Sequence, residues 1–184
     1  MHVKIRYENL KDQEQIYKLI SEAFDTSDEE RLVRLSHTDH QSLISLVAET
    51  NDGNIIGQVI LSKMTAEETD ELKIYGLAPM SVAPKYQHKG IGTKLIEMMI
   101  NEAKKNKIDA IFVLGHPSYY PKFGFKATIE YKIKCEYDVP EDVFMVLDIS
   151  NKLAKLKGQT VYYAEEFRKV FKKNLTLLFF YHII

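Results

Sequence analysis

The chain has 184 residues, one cysteine (Cys135), 45% apolar and 28% charged residues, and a net charge of −1. That is enough chain to bury one full core and an ordinary globular composition, while near-neutrality removes the electrostatic basis for binding nucleic acid or an anionic membrane. A lone cysteine excludes an internal disulfide and argues against a cysteine-based zinc site. The start, Met1–Tyr7, lacks the apolar core of a signal peptide, and no apolar run reaches the roughly 18 residues of a membrane span. A cytoplasmic protein is the expectation. The greasy tail, residues 174–184, is too short to cross a bilayer and is read as a last strand or a segment docked on the core, with a dimer contact as second choice.

Val3–Tyr7 alternates apolar and polar residues, as a strand does. Asp12–Phe24 carries Ile16, Leu19, Ile20, Ala23 and Phe24 at helical spacing, and Asp28–Leu35 predicts a second helix capped by Asp28. Leu43–Glu49 and Ile55–Lys63 predict a hairpin around the turn signal Asn51-Asp52-Gly53-Asn54. Glu71–Val82 reads as the next strand, with a bulge or pairing break expected at Pro79, which has no N–H to donate. Ile91 to about Lys105 is the clearest helix, with Ile91, Leu95, Met98, Met99 and Ala103 facing the core, and Asp109–Leu114 is a buried strand by its apolar run. Ser118–Phe123 makes one short helical turn. Phe125–Glu136 and Val143–Ile149 predict a final antiparallel pair, and Gly158–Tyr163 adds another strand. With no linker or repeat, residues 1–184 read as a single domain, and hairpins followed by a strand–helix–strand unit give a mixed α/β sheet.

Between the strand ending at Val82 and the helix starting at Ile91 lies Gln87-His88-Lys89-Gly90-Ile91-Gly92. The first N–H groups of a helix have no intrahelical partner and sit at the positive end of its dipole. Glycines there let an anion approach the backbone closely. The N–H groups of His88 through Thr93 are therefore candidate phosphate donors, with Lys85, Lys89 and Lys94 adding positive charge. A Walker A loop is excluded by spacing, and a dinucleotide fingerprint fails because its third glycine position is Leu95.

The spacing Q-x-x-G-x-G matches the pyrophosphate loop of acyl-CoA N-acyltransferases. Together with Val82-Ala83-Pro84, Val113-Leu114-Gly115-His116-Pro117, Tyr119-Tyr120-Pro121-Lys122-Phe123-Gly124-Phe125 and Gly158-Gln159-Thr160-Val161-Tyr162-Tyr163, it resembles the GNAT superfamily and within it the YhbS-like acetyltransferases, over about residues 3 to 167. The resemblance implies the GNAT fold: a mixed, mostly antiparallel sheet flanked by helices, with the strands ending near Val82 and Leu114 splayed apart around acyl-CoA. It further implies that the main chain of Met80, Ser81 and Val82 pairs with the pantetheine arm, that Gln87, His88, Lys89, Gly90, Ile91, Gly92 and Thr93 cradle the pyrophosphate, and that Tyr120 is the general acid. Tyrosine titrates near pH 10 and an aliphatic thiol near 8.5, so a protonated phenol can supply the leaving thiolate.

Gly124 is expected to serve a turn between two core aromatics, and Lys122 either approaches the 3′-phosphate or is solvated. Glu22, Asp25, Glu71 and His116 are candidates for a general base, with an ordered water as the alternative. Asp25, Asp28, Glu29, Glu30, Glu67, Glu68, Asp70 and Glu71 bias the acceptor side toward a cationic amine or are merely solvated. His37-Thr38-Asp39-His40 sits in a polar stretch, and no metal is assigned. The expected activity is direct, metal-independent acetyl transfer from acetyl-CoA to a primary amine of a small molecule or peptide in a ternary complex, by a monomer or homodimer. Cys135 is a poor covalent carrier. A non-catalytic acyl-CoA sensor is the alternative.

Overall fold

The computed structural model describes residues 2–24, 26–39, 44–68 and 70–171. Strand β1 (Val3–Tyr7) pairs antiparallel with β2 (Ile44–Thr50), which turns into β3 (Ile55–Lys63) through Gly53 at φ +80°. Every residue of β3 except Lys63 is buried, because helices cover both faces of the sheet here and alternation no longer marks an inside. After β4 (Thr65–Ala66) come β5 (Ile74–Val82), then β6 (Ala110–Leu114), β7 (Lys126–Ala127), β8 (Lys134–Cys135), β9 (Phe144–Asp148) and β10 (Thr160–Tyr162). The main sheet runs β1-β2-β3-β5-β6-β9-β7, with β5–β6 its parallel pair, and a small second sheet runs β4-β10-β8.

Helix α3 (Ile91–Lys105) packs Leu95, Ile96 and Met99 onto one face of the main sheet, against Val59, Leu77, Met80 and Val82. Met98 is only half-buried; Ile96 takes the core position expected of it. On the opposite face α1 (Gln13–Ala23) seats Ile16 and Ile20 against Val47 and Ile60. There α2 (Asp28–Asp39) and α4 (Glu165–Phe171) bring Leu32 and Phe167 to Ile74, Phe112 and Tyr163. The β1 end is tied by Arg6, whose guanidinium donates to Asp12 at 2.6 and 3.0 Å and to Glu49 at 2.9 and 3.1 Å. Asp12, almost fully buried, is held well below the usual carboxylate range by that guanidinium.

Three sequence expectations need correction. The second helix continues to Asp39, and Asp28 is its first residue, not its cap: the Thr26 hydroxyl accepts the Asp28 N–H at 3.3 Å. Residues 125–136 do not form one strand. Only Lys126–Ala127 joins the main sheet beside β9, a helical turn over Thr128–Tyr131 ends at Lys132 with φ +58°, and Lys134–Cys135 leaves for the second sheet. Helix α4 had no sequence counterpart. Leu43, Asp25, His40 and the tail 174–184 lie outside the described residues.

Candidate active site

Parallel pairing between β5 and β6 extends only from Ile74–Ala110 to Gly76–Phe112. Beyond that, β5 follows β3 to Val82 and β6 follows β9 to Leu114, so the two central strands part. A bulge contributes: Leu77 faces Leu61 and Met80 faces Val59, leaving Ala78 and Pro79 opposite Ile60 alone. That is the irregularity expected at Pro79. The β5 edge over Met80, Ser81 and Val82 consequently has no strand partner on the β6 side. Met80 and Val82 point toward α3, whereas Ser81 lies opposite Gln58 with its Oγ buried and without a hydrogen bond among the described residues.

The loop from Pro84 to α3 turns through two left-handed residues, His88 at φ +57° and Gly90 at φ +77°. Gly90 is the N-cap, and having no side chain it caps nothing. The N–H groups of Ile91, Gly92 and Thr93 therefore face outward with no backbone acceptor among the described residues. Two polar side chains of the loop brace it instead of projecting outward. Gln87 Nε2 donates to the Val82 carbonyl at 3.1 Å, and Lys89 Nζ donates to the Lys85 carbonyl at 2.7 Å. A cleft of about 170 Å³ opens beside the loop, lined by Val82, His88, Gly90, Gly92, Thr93 and Tyr119 among others. Lys122 lines it too, exposed to solvent with its Nζ 3.8 Å from the centre of the Tyr119 ring.

Tyr120 opens the short helical turn Tyr120–Phe123 and is 2% exposed. Its ring stands edge-on to Tyr119 at 5.3 Å and to Phe125 at 5.6 Å. Gly115, just past β6, makes room for it: a Cβ there would lie 2.2 Å from the ring. The Tyr120 hydroxyl is buried without a hydrogen bond among the described residues, and burial raises its pKa strongly. Gly124, at φ +93°, makes the expected turn, with Phe125 in the core and Phe123 half-buried.

A strand fork beside an uncapped glycine loop, with a buried phenol at the end of one prong, is the arrangement the sequence motifs anticipate, and comparison with known proteins agrees. Residues 41–127 match the family model described as an acetyltransferase (GNAT) domain. The chain is 30% identical over 145 residues to the uncharacterized N-acetyltransferase YjhQ of Escherichia coli K12, covering 77% of this chain and 80% of that protein. The chain belongs to the GNAT family of acetyltransferases. Another relative, the uncharacterized N-acetyltransferase YhbS of the same strain, is 27% identical over 151 residues, 82% of this chain and 90% of YhbS. The crystal structure of E. coli YhbS in complex with CoA superposes with a TM-score of 0.86 at 28% identity, over 91% of this chain and 93% of that one. A GNAT acetyltransferase from Brucella melitensis in complex with acetyl-CoA gives 0.75 at 26% identity, over 90% and 98%. The observed fold is thus the GNAT fold, splayed as anticipated at β5 and β6.

The base candidates fare unevenly. Glu22 is exposed and 3.9 Å from Lys18, Glu71 is exposed and paired with Lys155 at 2.7 Å, and Asp25 lies outside the described residues. Neither Glu22 nor Glu71 is brought to the fork. His116 is half-buried, and its carbonyl accepts the Tyr119 and Tyr120 N–H groups at 3.0 and 3.4 Å. Glu29, read as one of a set of acidic surface residues, is fully buried and accepts from the Thr26 hydroxyl at 2.7 Å. His37 is no loop residue but a half-buried one on α2, its Nδ1 2.9 Å from the Tyr17 hydroxyl and its Nε2 2.9 Å from Glu8. Among the described residues no group of three or more His, Cys, Asp or Glu side chains could hold a metal, and no helix is long and apolar enough to cross a membrane. Burial pushes the Cys135 thiol up to about 12. Sequence reasoning missed Tyr137 and Gly76, whose lack of a Cβ admits Tyr163, and it quoted Gly115 in a motif without seeing that its missing Cβ admits Tyr120. For the two glycines the available signal was a glycine within or just after an apolar strand.

Proposed function

We propose that this GNAT protein is a single-domain, acetyl-CoA-dependent N-acetyltransferase that passes the acetyl group directly to a primary amine within a ternary complex. The observation that carries this reading is the fork between β5 and β6, bordered by an unpaired strand edge and an uncapped helix N-terminus, with a buried, unbonded phenol against Gly115 just past β6. These fit the chemistry of acyl-CoA. The pyrophosphate needs several N–H donors, for which the backbone of His88 through Thr93 is suited. The amide-rich pantetheine arm can pair with Met80, Ser81 and Val82 as an added strand. The solved relatives YhbS and the Brucella enzyme hold CoA and acetyl-CoA, which supports the same ligand here.

In the reaction the neutral amine attacks the thioester carbonyl carbon, a C–N bond forms, and the C–S bond breaks. The departing CoA thiolate takes the Tyr120 proton, and the proton shed by the new amide nitrogen leaves through water and restores the phenol. Burial keeps the Tyr120 phenol protonated at neutral and mildly alkaline pH while making it a weaker acid, so its proton passes only as charge develops on the departing sulfur. Most of the acceleration comes from holding amine and thioester together and from backbone N–H groups polarising the carbonyl. Cys135, with a thiol so hard to ionise, is unsuited to carry the acetyl group covalently.

The test is thermal unfolding and calorimetry with acetyl-CoA, CoA, ATP and NAD side by side. Acetyl-CoA and CoA alone should stabilise the protein, by about 2.7 kcal/mol at a hundredfold excess over the dissociation constant. No response to either would overturn the reading.

A further inference from the structure

The sheet face opposite α3 holds buried hydroxyls that the acyl-CoA side does not use. Tyr163 is 2% exposed and Tyr137 8%, their ring centroids are 6.0 Å apart, and neither hydroxyl has a hydrogen-bond partner among the described residues. A buried polar group left unpaired is costly, and two side by side indicate that something else completes them.

Their position is specific. Tyr163 fills the space over Gly76, where a Cβ would lie 2.7 Å from its ring, and Gly76 is the last β5 residue still paired with β6. Tyr163 thus sits at the fork on one face of the sheet, while Tyr120 reaches the end of β6 and packs with the α3 side on the other. It is held there by the Glu136 carboxylate, which accepts the Tyr163 N–H at 2.5 Å and is paired with Arg168 at 3.1 Å. Burial raises the Tyr163 pKa, and so do the nearby Cys135, Tyr137, Glu136 and Tyr120. Tyr137 lines a cleft of about 440 Å³ that opens to solvent, with Ile133 and Phe144 as apolar walls and exposed Asp138 and Glu141 at its rim. Lys134 is the one basic side chain of this lining, and the third carboxylate, Glu136, is offset by Arg168.

Resting on the acetyltransferase reading, we propose that this cleft is the acceptor entrance and that the acceptor is a small primary amine on an apolar stem. Asp138 and Glu141 attract its ammonium, Ile133 and Phe144 hold the stem, and the Tyr137 and Tyr163 oxygens accept hydrogen bonds from the amino group at the fork. The chemistry matches group by group. An ammonium is purely a donor and a phenol oxygen can accept, while an apolar wall with a carboxylate rim disfavours anionic and strongly polar acceptors.

The experiment measures thiol release from acetyl-CoA by the full chain with 2-phenylethylamine, spermidine and glycylglycine, together with acetyl-CoA affinity. Tyr137→Phe and Tyr163→Phe remove hydroxyls that bond to nothing in the protein, so packing and folding are retained. The expected result is a preference for 2-phenylethylamine, a KM for it raised about tenfold in each variant, a smaller rise in Asp138→Lys, and unchanged acetyl-CoA affinity. An unchanged KM in both phenylalanine variants overturns the proposal. So does preference for spermidine or glycylglycine, or turnover of none of the three while acetyl-CoA still binds. Failure of acetyl-CoA to bind the unaltered chain would remove the acetyltransferase reading itself, and this one with it.

Discussion

The two sides of the fork are built differently. On the α3 side, the N–H groups of Ile91, Gly92 and Thr93 are left without a backbone acceptor among the described residues, and the chain needs only a left-handed glycine and a helix start to do so. On the opposite side, Tyr137 and Tyr163 come from segments separated by the long excursion through β9, and they meet because β8 and β10 pair in parallel at Lys134–Thr160 and Cys135–Val161. Backbone recognition of a phosphate tolerates wide change in side chains. Recognition by buried hydroxyls depends on every packing contact that places them. The first arrangement suits a ligand shared by a whole family, the second a ligand particular to one member.

That contrast can be broken at several points. Tyr120→Phe should cost the most, about 10²- to 10⁴-fold in kcat, with acetyl-CoA affinity unchanged by calorimetry; normal turnover would instead favour a non-catalytic acyl-CoA sensor. Gly92→Val should abolish the thermal shift by acetyl-CoA, about 2.7 kcal/mol at a hundredfold excess, in a protein whose circular dichroism is unaltered. If that variant binds normally, the cradle is misplaced. Gly76→Ala tests the other side. Its methyl must displace the Tyr163 ring, so we expect about 1–3 kcal/mol of destabilisation and weaker amine use in steady-state kinetics, with CoA affinity less affected.

The pH profile sharpens the assignment of Tyr120. A raised pKa in the folded protein means the proton is retained as pH climbs through the ordinary tyrosine value. As the amine deprotonates, kcat/KM should rise roughly tenfold per pH unit, and it should not fall again by about pH 10. A descending limb near pH 8 would assign the acid to a different group. The smallest effect is expected of Cys135→Ala, which should stay within about twofold of the parent activity, as its thiol is too weakly acidic to be the acyl carrier. Complete loss would overturn direct transfer.

Much of this molecule was legible in its sequence. Asn51–Asn54 dictated a hairpin because Gly53 takes φ +80° without strain, Pro79 signalled the irregularity in β5, and the apolar spacing of Ile91, Leu95 and Met99 after a glycine loop announced a helix. These are local consequences of φ preference, a missing N–H and helical period, so neighbouring residues alone determine them. Other features required the folded chain. Glu29 read as a surface charge, and only the packing of its helix buries it; the burial of Asp12 against Arg6 likewise had no local signal. The residues from Phe125 to Glu136 have strand-like composition, yet the main sheet accepts two of them beside β9 and the second sheet takes another two. Which strand edge is available is a property of the whole assembly. The same holds for Tyr163: its motif was visible, but its place over Gly76 depends on a glycine 87 positions away in sequence. Sequence by itself determined the glycine loop before α3 because that loop is short and made of backbone; tertiary structure decided the side of Tyr137 and Tyr163 because buried side chains acquire their neighbours only when distant elements close around them.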